Sequence, residues 1–188
     1  MNWIEFQEEL ESCRDCVLCE TRKNVVFGEG PQDASILVIG EGPGAMEDES
    51  GRPFVGRSGN LLTDLMEESG VPREKLFITN MVKCRPPENR NPKRDEIAAC
   101  HKWLEVLLTI LKPNVLVGVG NVPTQNLLGT KKGITSMRGV YHDVKIDGRD
   151  YLFLPVFHPA YLLRNRSRDE GKPLDLTLKD LASLKQWL

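Results

Sequence analysis

Apolar positions along the chain fall into two rhythms. Four runs rich in Ile, Leu, Val and Phe, at residues 35–39, 75–79, 114–119 and 151–157, are continuous rather than alternating. That is the pattern of strands buried on both faces. Between them the period lengthens to that of a helix. Leu61, Leu62, Leu65 and Met66 share one face, and Gly70 closes that run. In the next interval Asn91 is placed to cap and Pro92 to occupy the first turn. Asp95 and Glu96 follow where the helix dipole favours acids, and Ile97, Cys100, Leu104, Leu107 and Leu111 form the apolar face before Pro113 ends it. Residues 122–128 read as a short helix with Pro123 near its start, and Leu174, Leu178, Leu181, Leu184 and Leu188 mark a last amphipathic one. Residues 139–151 alternate around "DGRD", which suggests a hairpin leading into the fourth strand, and Pro155 in that strand argues for an edge position. Strand and helix alternate without repeat or linker. The expectation is a single domain over residues 1–188, an α/β fold built as a three-layer α/β/α sandwich around a four-stranded, largely parallel sheet.

Ligand sites in such sheets lie beyond the carboxyl ends of the strands. The rule selects residues 40–48, 80–90, Gly120 with Asn121, and 158–166, where polar and special-backbone residues concentrate. The first of these, "GEGPGAMED", invites a nucleotide-phosphate reading. It fails on spacing: the glycines run G-x-G-x-G, Pro43 sits inside the turn, and Glu47, Asp48 and Glu49 put negative charge where a pyrophosphate would lie. No Gly-Lys-Ser/Thr follows for a phosphate loop of the Walker type. A purely structural glycine turn or a tight wall for a flat ligand suits the composition better, the latter with Gly42 and Gly44 allowing close approach and Glu41 offering a carboxylate at the strand tip. In "GRPFVGRSGN" Phe54 sits off any periodic face, either a stacking ring or an ordinary core residue. Asn80 can read the polar edge of a nucleobase or serve as a turn residue, and His158, its backbone biased by Pro159, can be catalytic or structural.

Charge narrows the partners. Lys plus Arg number 25 against 27 Asp plus Glu, a net charge of −2, so contact with nucleic acid must come from local patches. Two such patches occur at the expected mouth: Lys83, Arg85, Arg90, Lys93 and Arg94, then Arg164, Arg166 and Arg168. No apolar stretch approaches the ~20 residues that span a bilayer, and the acidic N-terminus is not a leader, so a soluble, cytoplasmic, monomeric protein is expected. Five cysteines in such a chain point to a metal or cluster rather than disulfides. Cys13, Cys16 and Cys19 form C-x-x-C-x-x-C, with Cys84 and Cys100 far downstream. Four thiolates suit tetrahedral zinc as well as iron and sulfur.

In order along the chain, "GEGPG", "GRPFVGRSG", "TNMVKCRPPENRNP" and "FHPAYLLRNRS" resemble the signature segments of the family 4 uracil-DNA glycosylases, the iron-sulfur type of bacteria and archaea. The resemblance runs from about Cys13 to the final helix. It implies an enzyme that flips uracil out of double- or single-stranded DNA, hydrolyses the N-glycosidic bond and leaves an abasic site, the first step of base excision repair. It implies that Phe54 stacks on the base, that Asn80 pairs with its O4 and N3–H edge, and that Glu47 fills the space beside C5 which other branches block with a tyrosine at the position of Gly44. His158 and backbone amides near Glu41, Gly42 and Pro43 would stabilise charge on O2, and Glu41 would position the water, Gly42 standing where other branches carry Asp or Asn. The implied ligands of a [4Fe-4S] cluster are Cys13, Cys16, Cys84 and Cys100, leaving Cys19 spare. Arg85, Arg90 and Arg164 would contact DNA, with Leu162 or Leu163 wedged into the duplex. Ala160 departs from the family's usual serine, a phosphate ligand. Two other functions stay open on the sequence: a glycosylase for another deaminated base, and a non-catalytic, metal-stapled nucleic-acid binding module.

Overall fold

The structure, a computed structural model, describes residues 1–188. Five strands form one sheet: β1 (Ile36–Gly40), β2 (Phe77–Asn80), β3 (Val115–Val119), β4 (His142–Ile146) and β5 (Arg149–Val156), in the order β2-β1-β3-β5-β4. The β1–β2, β1–β3 and β3–β5 pairs are parallel, and β4 runs antiparallel to β5. The expected four strands are therefore one too few. The hairpin over 139–151 does form, but its first arm joins the main sheet as the edge strand, because the alternation of Val144 and Ile146 buries one face while Asp143 and Lys145 face water.

Pro155 is consequently not on an edge strand, and the reason it is tolerated is local. The β4–β5 ladder ends at the His142↔Phe153 pair. The Pro155 carbonyl accepts from Gly139 N–H at 3.0 Å, and the proline nitrogen faces the same side, past the end of β4, where no ladder donor is required.

Helices cover both faces. On one side lie α1 (Trp3–Glu11), α4 (Arg94–Leu111) and α5 (Asn121–Leu128); on the other lie α3 (Arg57–Glu68), the short α7 (Pro159–Leu162) and α8 (Pro173–Ala182). Strand residues alternate between the two cores as the pleat demands. Leu37, Ile39, Leu116 and Phe153 pack with α4, while Ile36, Val38, Val115, Val117 and Leu154 pack with α3 and α8. Two short helices, α2 (Ala45–Ser50) and α6 (Ile134–Met137), sit in the loops at the carboxyl end of the sheet. No helix is long and apolar enough to cross a membrane.

The start of α4 differs from expectation. Lys93, not Asn91, is the capping residue, and Glu96 supplies the cap by accepting Lys93 N–H at 2.7 Å. Its carboxylate also takes the forked guanidinium of Arg90 at 2.6 and 2.8 Å. This pair, with Glu96 buried and Arg90 half-exposed, fastens the 80–90 loop to the helix that carries Cys100.

Candidate active site

The carboxyl ends of β1, β2, β3 and β5 open into a cavity of about 940 Å³, lined among others by Glu41, Gly42, Pro43, Glu47, Phe54, Asn80, Arg90, His158 and Arg164. Three of these side chains are fixed by close approach to backbone. Gly40 ends β1, and a Cβ there would lie 2.4 Å from Asn80 Oδ1 and 2.5 Å from Phe54 Cζ. The ring and the amide therefore meet over one glycine. Gly120, at φ +90° after β3, leaves room for His158, whose Cβ and Cδ2 would be 3.0 and 3.2 Å from a Cβ at 120.

Asn80 is 2% exposed, and its side-chain amide takes no hydrogen bond from the rest of the chain. A buried amide is ordinarily paired, so its donor and acceptor are available to a ligand in the cavity. Phe54 holds a left-handed backbone, φ 50°, uncommon for an aromatic residue and costing about 1 kcal/mol or more. Two contacts hold it there. From behind, Arg73 donates to the carbonyls of Pro53 and Phe54 at 2.6 and 2.9 Å. From the front, the Glu47 carboxylate accepts from Val55 N–H at 3.0 Å and Gly56 N–H at 2.9 Å on one oxygen, and from Gly44 N–H at 3.1 Å on the other. Glu47 thus occupies the start of α2 and leaves no seat for a phosphate. A Cβ at Gly44 would lie 2.7 Å from the Glu47 carboxylate, so the two positions compete for one volume.

His158 Nδ1 accepts from Ala160 N–H at 3.1 Å. In the neutral ring the proton is then on Nε2, a donor. Burial, with Arg164 adding to it, lowers the His158 pKa to about 4, so the ring is neutral at pH 7. The Ala160 amide is committed to this ring and cannot replace a missing serine hydroxyl at a phosphate. Burial also raises the Glu41 carboxyl above its usual range, and that side chain carries no hydrogen bond from the protein.

The basic patches resolve unevenly. Lys83 is fully buried and does not belong to a DNA-facing surface. Arg90 borders the cavity but spends its fork on Glu96, and Arg168 pairs with Glu68. Arg164 lines the cavity mouth and stays exposed; Arg85, which donates to Asn89 Oδ1 at 2.7 Å, lies outside the lining. Leu162 is fully buried in the core beneath α7 and cannot reach a duplex, whereas Leu163 is half-buried. Beside them Tyr161 is exposed at the rim, its ring 5.1 Å from Phe157.

Sequence reasoning missed Arg73, Ile134, Thr135 and Tyr161. Arg73 sits in a short turn, and nothing in its neighbourhood in sequence marks a contact twenty residues upstream. Ile134 and Thr135 reach the cavity because Asn121 Oδ1 accepts Ile134 N–H at 2.7 Å, folding the 130–138 loop over α5; the glycine at 133 was the available signal.

All five cysteines are free and line one small apolar cavity between α4 and the N-terminal segment, with Arg22, Lys83 and Trp103. No three of the chain's acidic, Cys or His side chains are drawn together as a ready-made metal site. The donor set nonetheless suits thiolate ligation. Trp103 Nε1–H approaches Cys13 Sγ at 3.4 Å, and Arg22 Nη1–H reaches Cys84 Sγ at 3.2 Å. Such N–H contacts stabilise sulfur that carries charge. Burial pushes the Cys84 thiol up and that of Cys100 to about 11, so both keep their protons unless a cation displaces them.

The family model of the uracil DNA glycosylase superfamily matches residues 27–182. A type-4 uracil-DNA glycosylase of Thermotoga maritima is 44% identical over 96% of this chain and 92% of its own length, and that of Archaeoglobus fulgidus is 37% identical over 97% and 94%. A type-5 uracil-DNA glycosylase of Thermus thermophilus is 34% identical over 68% of this chain and 66% of its own. With a matched domain and near full-length relatives in agreement, the chain belongs to the uracil DNA glycosylase superfamily, in its type-4 family.

Proposed function

We propose that this protein excises uracil from DNA by hydrolysing the N-glycosidic bond, as the names of its relatives describe for them. The observation that carries the reading is Asn80: a buried amide with no protein partner, facing the cavity beside the Phe54 ring. Its carbonyl and NH₂ match uracil N3–H and O4 and oppose the reversed pattern of cytosine, each buried mismatch costing about 1–3 kcal/mol. Phe54 supplies the stacking face. Thymine is kept out by volume: Glu47 fills the space that a side chain at 44 would take, supporting its role beside C5.

In the reaction the C1′–N1 bond breaks with its electron pair leaving on uracil, largely at O2. The neutral His158 donates its Nε2–H there, and backbone N–H groups along Glu41, Gly42 and Pro43 add to it, an arrangement worth a few kcal/mol when preorganised. Glu41, half-buried and unpaired, orients the water that adds to C1′ and takes its proton. Arg164 and Arg85 hold phosphates, and with Leu162 buried, the wedge falls to Leu163. The thiols Cys13, Cys16, Cys84 and Cys100 would hold a [4Fe-4S] cluster, which when bound ties the N-terminal segment and the 84–90 loop to α4. The single domain over residues 1–188, working as a cytoplasmic monomer, completes the proposal.

The test is cleavage of a uracil-containing oligonucleotide after alkali, with hypoxanthine and xanthine oligonucleotides alongside. We expect strand scission at uracil, lost in Asn80→Ala. No abasic site from the wild type, or equal action on hypoxanthine, would overturn the reading. A brown protein absorbing in the blue supports iron; a colourless one with stoichiometric zinc would refute the cluster.

A further inference from the structure

Lys83 lies between the base cavity and the cysteine cavity, and the mechanism above gives it nothing to do. Its side chain is fully buried. Its ammonium donates to the backbone carbonyl of Asn80 at 2.7 Å and to Thr79 Oγ1, and that hydroxyl donates in turn to Phe27 O at 3.0 Å. On its other side Lys83 lines the cysteine cavity together with Cys84, its neighbour in the chain, and Cys100. None of the chain's ion pairs includes it.

A buried ammonium with only neutral acceptors is costly, and such a charge is ordinarily matched by an anion. The sulfurs of Cys84 and Cys100 line the same cavity as Lys83, and as thiolate ligands they would supply one. The same ammonium fixes the peptide carbonyl of Asn80, the residue whose side-chain amide stands open to the cavity. Rotating that carbonyl would swing the amide away from the ring of Phe54.

We infer that Lys83 is a positioning residue that couples the two cavities: thiolate charge at the cysteine site holds the ammonium, and the ammonium holds Asn80 in register to read the base. The coupling makes cluster loading tighten uracil binding, and uracil binding tighten the loaded state, by the same factor. The inference rests on the uracil reading of the site.

The test is a thermodynamic cycle with free uracil as the probe. Its dissociation constant is measured for the loaded and iron-stripped forms of the wild type and of Lys83→Met, which keeps the length and removes charge and donor. Stripping iron is expected to weaken uracil binding by about tenfold in the wild type and to change it less than twofold in Lys83→Met. Loaded Lys83→Met is also expected to show a lower cluster reduction potential, because a cation near the cluster has been lost. Should Lys83→Met fail to fold, the wild-type arm alone decides: equal uracil affinity with and without iron, restored or not on reconstitution, overturns the coupling. A purely structural lysine would lower thermal stability and leave the effect of stripping equal in both proteins, which also overturns it. A wild type that cleaves uracil DNA while failing these arms sinks only the coupling; one that neither binds uracil nor cleaves sinks the site reading itself.

Discussion

At the scale of single residues the site is a set of side chains held in states they would not choose in water. His158 is the clearest case. Its folded pKa of about 4 lies below the ordinary 6.5, so below pH 6.5 the unfolded chain takes up a proton that the folded one refuses. Stability from this group is complete above pH 6.5 and is lost as pH falls towards 4, up to about 3 kcal/mol. Urea unfolding between pH 7 and pH 4.5 should show that decline, and His158→Gln should flatten it; an unchanged slope would contradict the neutral buried ring. Glu41 makes a different prediction. With its carboxyl raised by burial, the acid limb of single-turnover cleavage should lie above the usual carboxylate range, since the ionised form is needed to take the proton from water. Glu41→Gln should keep uracil binding and lose about 100-fold or more in rate, together with that limb. A rate within twofold of wild type would remove Glu41 from the water.

At the scale of elements, much of the architecture was written in the hydrophobic rhythm. Continuous apolar runs marked β1, β2, β3 and β5 to within three residues at each end, because strands covered on both faces leave no polar positions to confuse the pattern. The edge strand β4 escaped the strand count since its alternation, with Val144 and Ile146 buried and Asp143 and Lys145 exposed, is that of a solvated hairpin arm, and only register with β5 makes it part of the sheet. The cap of α4 escaped because Glu96 provides it by reaching back to Lys93, a partner that no cap residue in the sequence advertises. The Glu47 clamp belongs here too. It joins the start of α2 to the loop carrying Phe54, and Glu47→Ala would leave the N–H groups of Gly44, Val55 and Gly56 without their partner. We expect a loss of about 1–3 kcal/mol in stability and a raised KM for uracil DNA, with Glu47→Gln recovering only part of both, because its single oxygen can still accept from Val55 and Gly56 while its NH₂ would face the Gly44 N–H. A calorimetric melt unchanged in Glu47→Ala would show the loop is held without it.

At the scale of the whole molecule, the sequence pointed to four strand ends, and the fold brings residues from each to one cavity. Glu41, Asn80 and His158 were legible because each stands at a strand end, and Phe54 because it sits in a glycine-rich loop between α2 and α3, each in a motif with its own local peculiarity: a glycine turn, an amide after an apolar run, a histidine before proline, an aromatic off any periodic face. Arg73, Thr135 and Tyr161 were not, since what places them is tertiary contact with no local trace. Charge was the least legible feature. A run such as Lys83 to Arg94 looks uniform in sequence, yet Lys83 is buried, Arg90 is spent on Glu96 and Arg85 remains near the surface. Removing Arg164 should weaken DNA binding and reduce the steepness of its salt dependence by about one counterion, while Arg90→Ala should act on stability rather than on the salt slope.

The claim on which the account turns is that Phe54, Asn80 and His158 enclose one planar pyrimidine. A crystal structure of the protein with free uracil measures it directly. The account predicts the ring stacked on Phe54, its O4 and N3–H edge on the Asn80 amide and O2 within hydrogen-bond reach of His158 Nε2. Uracil bound away from Asn80, or a cavity that stays empty while the enzyme is inhibited by uracil, would contradict it.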